Sequence, residues 1–111
     1  MPELTKIKCV ACRQDAPQVT DAEISEYQHQ VPDWGILEDD GIKRLQRIFQ
    51  FPDFAKAIVF TNLVGQLAEV ENHHPAILTE WGRVTVSWWT HKIRGLHRND
   101  FVAAAKTDEL F

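Results

Sequence analysis

No apolar run of about 18 residues occurs anywhere in this 111-residue chain, so no segment reads as a membrane-spanning helix. The opening "MPELTKIKCVACRQD" lacks the apolar block of a secretory leader, and a cytoplasmic location is the expectation. Basic charge is also in short supply. Twelve Lys and Arg against 16 Asp and Glu leave a formal net charge of -4, which counts against nucleic-acid binding through bulk electrostatics. Cysteine is confined to Cys9 and Cys12 in "CVAC". A zinc site would need a second ligand pair, and a redox site would need a helix directly after the motif, where Gln14, Asp15, Ala16 and Pro17 stand instead. The pair is therefore read as incidental, with a partial metal site and redox use as the alternatives, and residues 1–18 are expected to form a loosely held amino-terminal segment. Repeats, low-complexity tracts and interior linkers are missing too. What remains is one domain over 1–111, with 44% hydrophobic content, enough for a packed core without staples.

Local patterns give an order of elements. In "VTDAEISEYQHQVP", Thr20 and Glu23 form a capping box, Ile24, Tyr27 and Val31 make an apolar stripe, and Pro32 ends the helix. Asp40-Gly41 suits a two-residue type I′ turn, which predicts a hairpin of Trp34–Asp39 and Ile42–Phe51. On its second strand Leu45, Phe49 and Phe51 take one side, and Arg44, Gln46 and Gln50 the other. Pro52 and Asp53 open a long helix in which Phe60, Leu63, Val64, Leu67 and Val70 recur at helical spacing. A second hairpin turns near Gly82, with Val84, Val86 and Trp88 alternating along its last strand. "HRNDFVAAAKTDEL" closes the chain as a helix, with Phe101, Ala104 and Ala105 inward and Asp100 in its first turn. The fold class that follows is α+β: a two-layer sandwich in the order α-β-β-α-β-β-α, its four-stranded antiparallel sheet covered by three helices on one face. The other face is left for a ligand or partner.

Three histidines fall at element ends. His73 and His74 lie between the long helix and the third strand in "ENHHPAILTEW", and His91 ends the fourth strand in "WWTHKIRGL". Element ends hold side chains rigidly yet leave them reachable, and imidazole exchanges protons near neutral pH. Catalysis or ligand binding, metal binding and purely structural roles all remain open. Metal is disfavoured, because adjacent side chains diverge whereas helical zinc ligands share a face.

Glu69, three residues, His73-His74-Pro75, five residues, Trp81, nine residues, His91, eight residues, Asp100: these seven points and their gaps resemble the signature of the pterin-4a-carbinolamine dehydratases. The likeness extends through "VFTNLVGQLAEVE" and "TEWGRVTVSWWTHKIRGLHRNDF" and reaches the amino-terminal C-x-x-C segment, so it covers nearly the whole chain. The resemblance implies a hydro-lyase that dehydrates 4a-hydroxytetrahydropterin, the by-product of aromatic amino-acid hydroxylases, to quinonoid dihydropterin and water, with no cofactor and no metal. Position by position it makes His73 and His91 the acid–base pair and His74 mainly a substrate holder, the three forming the catalytic set. Pro75, Thr90 and Lys92 join the three histidines as substrate-binding residues, with Glu69, Trp81 and Asp100 in support. Glu69 has a solvated helix face as its bland reading and Asp100 a first-turn carboxylate. Trp81, Trp88 and Trp89 are flat enough to stack on a pterin, although Trp88 shares the inward parity of Val84 and Val86. Animal members carry serine where His97 stands, at the cap of the last helix. Those members also serve as dimerisation cofactors for a transcription factor, so a non-catalytic binding module is the alternative function. Family habit and the broad apolar band of the long helix lead to the expectation of a homodimer or homotetramer.

Overall fold

The computed structural model describes residues 3–9 and 16–111. Among these the chain forms α1 (Asp21–Gln28), β1 (Gly35–Asp39), β2 (Ile42–Gln50), α2 (Phe54–Glu71), β3 (Ala76–Glu80), β4 (Arg83–Trp88) and α3 (Arg98–Leu110), with 3-10 turns at Leu4–Lys6 and His91–Ile93. The strands make one antiparallel sheet in the order β1-β2-β4-β3. Both hairpins close as their turn chemistry dictates: Asp40 and Gly41 have φ of 55° and 76°, and Gly82 has φ of 76°. A Cβ at Gly82 would also stand 3.2 Å from the Phe51 carbonyl, which fixes glycine there twice over.

Register decides which side chains meet the helices. Leu45 lies opposite Trp88, Phe49 opposite Val84, and Ile77 opposite Val86, so these turn inward and are buried or nearly so. Arg47 shares that parity. It stays on the inner face because its Nη1 donates to Asp108 Oδ1 at 2.7 Å and its guanidinium lies 4.4 Å over the Phe49 ring. Burial outweighs both this partner and the Trp34 indole N–H, so the Asp108 carboxyl is held above the ordinary range. On the opposite face Leu37, Ile48 and Leu78 stand exposed, and among the described residues no helix covers it.

α2 and α3 lie on the inner face. α3 is buried nearly all round from Asn99 to Ala105 because sheet, α2 and the amino-terminal segment all pack against it. α1 joins the layer chiefly through Tyr27, whose ring is 5.3 Å from Phe101.

Four expectations need correction. α1 ends at Gln28 rather than at Val31, because Val31 leaves the helix to fill the core with no exposed surface. Val70 of α2 is 73% exposed; the inward stripe is Ala57, Phe60, Val64, Ala68 and Glu71. Phe51 stands just beyond β2, its amide donating to the Gly82 carbonyl and its ring packed on Phe60. Finally, residues 3–9 are held rather than loose. Leu4 is fully buried, its amide donates to Gln30 Oε1, and the Cys9 amide donates to Glu71 Oε1 at 3.0 Å.

Candidate acid–base site

α2 stops where Asn72 adopts a left-handed conformation (φ 52°), and the His73 amide closes the helix end on the Ala68 carbonyl. The chain then runs on to β3, and His73 and His74 enter different surroundings. The His73 side chain turns inward and is only 10% exposed, whereas that of His74 is 56% exposed.

Each has a carboxylate partner. His73 Nε2 lies 2.6 Å from Asp100 Oδ1, and His74 Nε2 lies 2.5 Å from Glu69 Oε2. Asp100 is wholly buried and fully engaged. Its Oδ2 accepts the Thr90 hydroxyl and the His97 amide, both at 2.8 Å, so the same carboxylate completes the capping box of α3 and holds His73. With two donors on Oδ2, the remaining oxygen takes an N–H from His73 Nε2, which assigns Nδ1 as the free ring nitrogen of the neutral imidazole. Trp88 supplies the floor: its ring is stacked on His73 at 5.5 Å with a 13° interplanar angle, and its own N–H is tied to Thr107.

His91 arrives from the other side. Ala76 pairs with Ser87, so the start of β3 and the end of β4 share one end of the sheet, where the His91–Ile93 turn follows. Thr90 is fixed by a bridge to Gly95, and the His91 ring lies 4.5 Å from Trp89.

The other expected residues divide. Pro75 sits half-buried between His74 and β3, and Lys92 is exposed beside His91. Thr90, expected to touch substrate, is 2% exposed with its hydroxyl given to Asp100; it backs the site. Trp81 lies in the turn at the far end of the second hairpin, about 15 Å of strand away, and is 74% exposed. Trp88 is core, as its parity indicated. His97 caps α3 as expected, its Nδ1 accepting from the Asn99 amide, and burial lowers its pKa. Sequence reasoning missed the clasp at the end of α2, where Glu71 meets Cys9 and Lys106. Burial works against the Glu71 carboxylate, but the Cys9 amide and the Lys106 ammonium outweigh it and hold it below the ordinary range. Burial, with that carboxylate alongside, pushes the Cys9 thiol up to about 12, far from a reactive cysteine. Cys12 lies outside the described residues. Apart from its parity, Glu71 carried no signal that distinguished it from the solvated carboxylates of α2.

Fold and geometry together define a small α+β domain with carboxylate-held imidazoles gathered at one end of its sheet. The model of the family described as Pterin 4 alpha carbinolamine dehydratase matches residues 17–110. A relative from Nitrosococcus oceani, which carries a provisional pterin-4-alpha-carbinolamine dehydratase name, is 59% identical over 110 residues, 99% of this chain and 97% of its own. Among solved structures, one described as a transcriptional coactivator/pterin dehydratase from Brucella melitensis superposes with a TM-score of 0.74 at 29% identity, over 85% of this chain and 98% of that one. A pterin dehydratase-like protein described as a RuBisCO assembly factor in the alpha-carboxysome shares the fold, with a TM-score of 0.59 at 20% identity over 74% and 93% of the two chains. The chain belongs to the pterin-4-alpha-carbinolamine dehydratase family, and its enzyme class is that of a dehydratase, a carbon–oxygen lyase.

Proposed function

We propose that this protein removes the 4a-hydroxyl of a tetrahydropterin carbinolamine as water, regenerating the quinonoid dihydropterin, and so recycles the cofactor of an aromatic amino-acid hydroxylase. The observation that carries the reading is the buried Asp100–His73 pair, set at the sheet end that also presents His74 and His91. The chemistry is a proton exchange. The carbon–oxygen bond breaks as the leaving oxygen takes a proton, a ring-nitrogen electron pair forms the carbon–nitrogen double bond, and a base removes the proton from that nitrogen. His73 and His91 are assigned these two transfers, and His74, braced by Glu69, is assigned to holding the ring. Each acid or base is worth about 10²- to 10⁴-fold. Pro75 and Lys92 complete the binding edge, while Thr90 and Asp100 act from behind His73.

The test is carbinolamine disappearance in a coupled phenylalanine hydroxylase assay with and without this protein. Turnover is expected, and it should survive dialysis against a chelator, since proton transfer needs no Lewis acid. Loss of activity on chelation with recovery on adding zinc would reject this scheme. A second reading, a binding module without catalysis, draws on the coactivator description of the Brucella melitensis neighbour; it requires no turnover in the same assay.

Self-association belongs to this proposal. Phe54, Ile58, Val59 and Val70 leave an apolar strip of α2 exposed, and β1 and β3 are open sheet edges. Sedimentation at micromolar concentration should give a homodimer or homotetramer; a monomer mass would contradict it. Among the described residues no helix is long and apolar enough to cross a membrane.

A further inference from the structure

His73 and His74 are each oriented by a carboxylate, but the one described contact that orients the His91 ring is with an indole. Trp89 continues the outward parity of β4, one step past the Leu45–Trp88 pair, which brings it beside Arg44 on the open face of the sheet. The Arg44 guanidinium lies over the Trp89 ring at 4.1 Å. Its side chain is 20% exposed, its Nη2 reaches Asp39 Oδ2 only at 3.6 Å, and its Nε is buried without a hydrogen-bond partner among the described residues. An arginine whose Nε–H is buried and unpaired gives up one hydrogen bond, and the described contact that offsets the loss is the cation–π approach to the indole.

We infer that Arg44 is a positioning residue for His91: by clamping one face of Trp89 it fixes the indole against which the catalytic imidazole rests. This rests on the dehydratase reading of His91, and it extends that site across the sheet, from Asp39 at the end of β1 through Arg44 of β2 and Trp89 just past β4 to the imidazole. The plane matters more than the charge. Lysine at this position would keep the cation but present a point charge with no flat surface to lie on the ring. Trp89 accordingly acts as a support for His91 and is unavailable on its clamped face as a platform for a pterin.

The experiment compares Arg44→Met, Arg44→Lys and His91→Ala, singly and with Arg44→Met combined with His91→Ala, by dehydration kinetics on the full chain. Misplacing a reacting group by about 1 Å costs on the order of 10²-fold, so a tenfold to hundredfold fall in kcat with KM within twofold is expected for Arg44→Met. Arg44→Lys should fall nearly as far, and Arg44→Met should add nothing once His91 is alanine. In parallel, the His91 ring-proton resonances, assigned by their loss in His91→Ala, should move toward free-imidazole positions in both Arg44 variants as the indole is released. Wild-type kcat in Arg44→Lys, equal fold-losses with and without His91, or unmoved His91 resonances would each overturn the inference. Should the wild-type protein show no dehydratase turnover, the functional reading falls, and the resonances alone still decide whether Arg44 positions His91.

Discussion

Asp100→Asn should lower kcat by roughly 10²- to 10⁴-fold while leaving a folded protein. The carboxylate has no exposed surface and serves three donors: His73 Nε2, the Thr90 hydroxyl and the His97 amide. Asparagine can keep one oxygen on Oδ2's side of the network, accepting from Thr90 and the α3 cap. Its amide nitrogen must then face His73 as a donor, which forces Nε2 to accept and moves the ring proton to Nδ1. The free nitrogen presented to a reactant is thereby exchanged for a protonated one, and the anion that would steady an imidazolium is gone. Stability should fall by only about 1–3 kcal/mol, the worth of a charge-assisted bond downgraded to a neutral one. Thr90→Val provides the control. It removes one donor from Oδ2 but leaves the His73 contact, so kcat should drop less than tenfold even if the melting temperature falls. Near-normal kcat in folded Asp100→Asn would show that the carboxylate is only a helix cap.

The double duty of Asp100 also marks the limit of what the sequence made legible. "HRND" announces a helix start, and the first-turn reading of Asp100 was correct; the capping geometry is present. That the second oxygen reaches His73, 27 residues earlier, depends on how α3 lies against the end of α2, which no local pattern encodes. The same division runs through the rest of the chain. The Thr20 capping box and the Asp40-Gly41 turn are decided by a few adjacent residues and came out as expected. Val31 and Val70 did not, because tertiary packing chooses between competing apolar positions. α2 carries more apolar residues than one face needs, and the small Ala57 and Ala68 take inward places while Val70 is left outside. Trp81 has a fixed place in the family spacing, yet hairpin geometry carries it away from the histidines. Arg44 and Trp89 gave only parity: both were legible as open-face positions, but their cation–π approach is a cross-strand contact that appears once register is known.

The adjacency of His73 and His74 leads to the most discriminating outcome. Because Asn72 turns the chain at the end of α2, neighbouring imidazoles enter different surroundings: one 10% exposed against Trp88 and Asp100, the other 56% exposed against Glu69. They should therefore fail differently. His73→Ala removes a proton-transfer group, and kcat and kcat/KM should fall together by about 10²- to 10⁴-fold. His74→Ala removes a holding contact at the surface, and KM should rise about tenfold, near 1.4 kcal/mol, with kcat within a fewfold of normal. His91→Ala should behave like His73→Ala, and the double variant should lose far less than the product of the two, since a single missing transfer already stalls the reaction. If these residues were merely structural, the pattern would invert. His73, stacked and nearly buried, would cost the most melting temperature, exposed His74 almost none, and whatever remained folded would turn over normally. Kinetics and melting curves on the three single variants separate the two cases, and normal kcat in both His73→Ala and His91→Ala would remove the acid–base assignment while leaving the fold and family untouched.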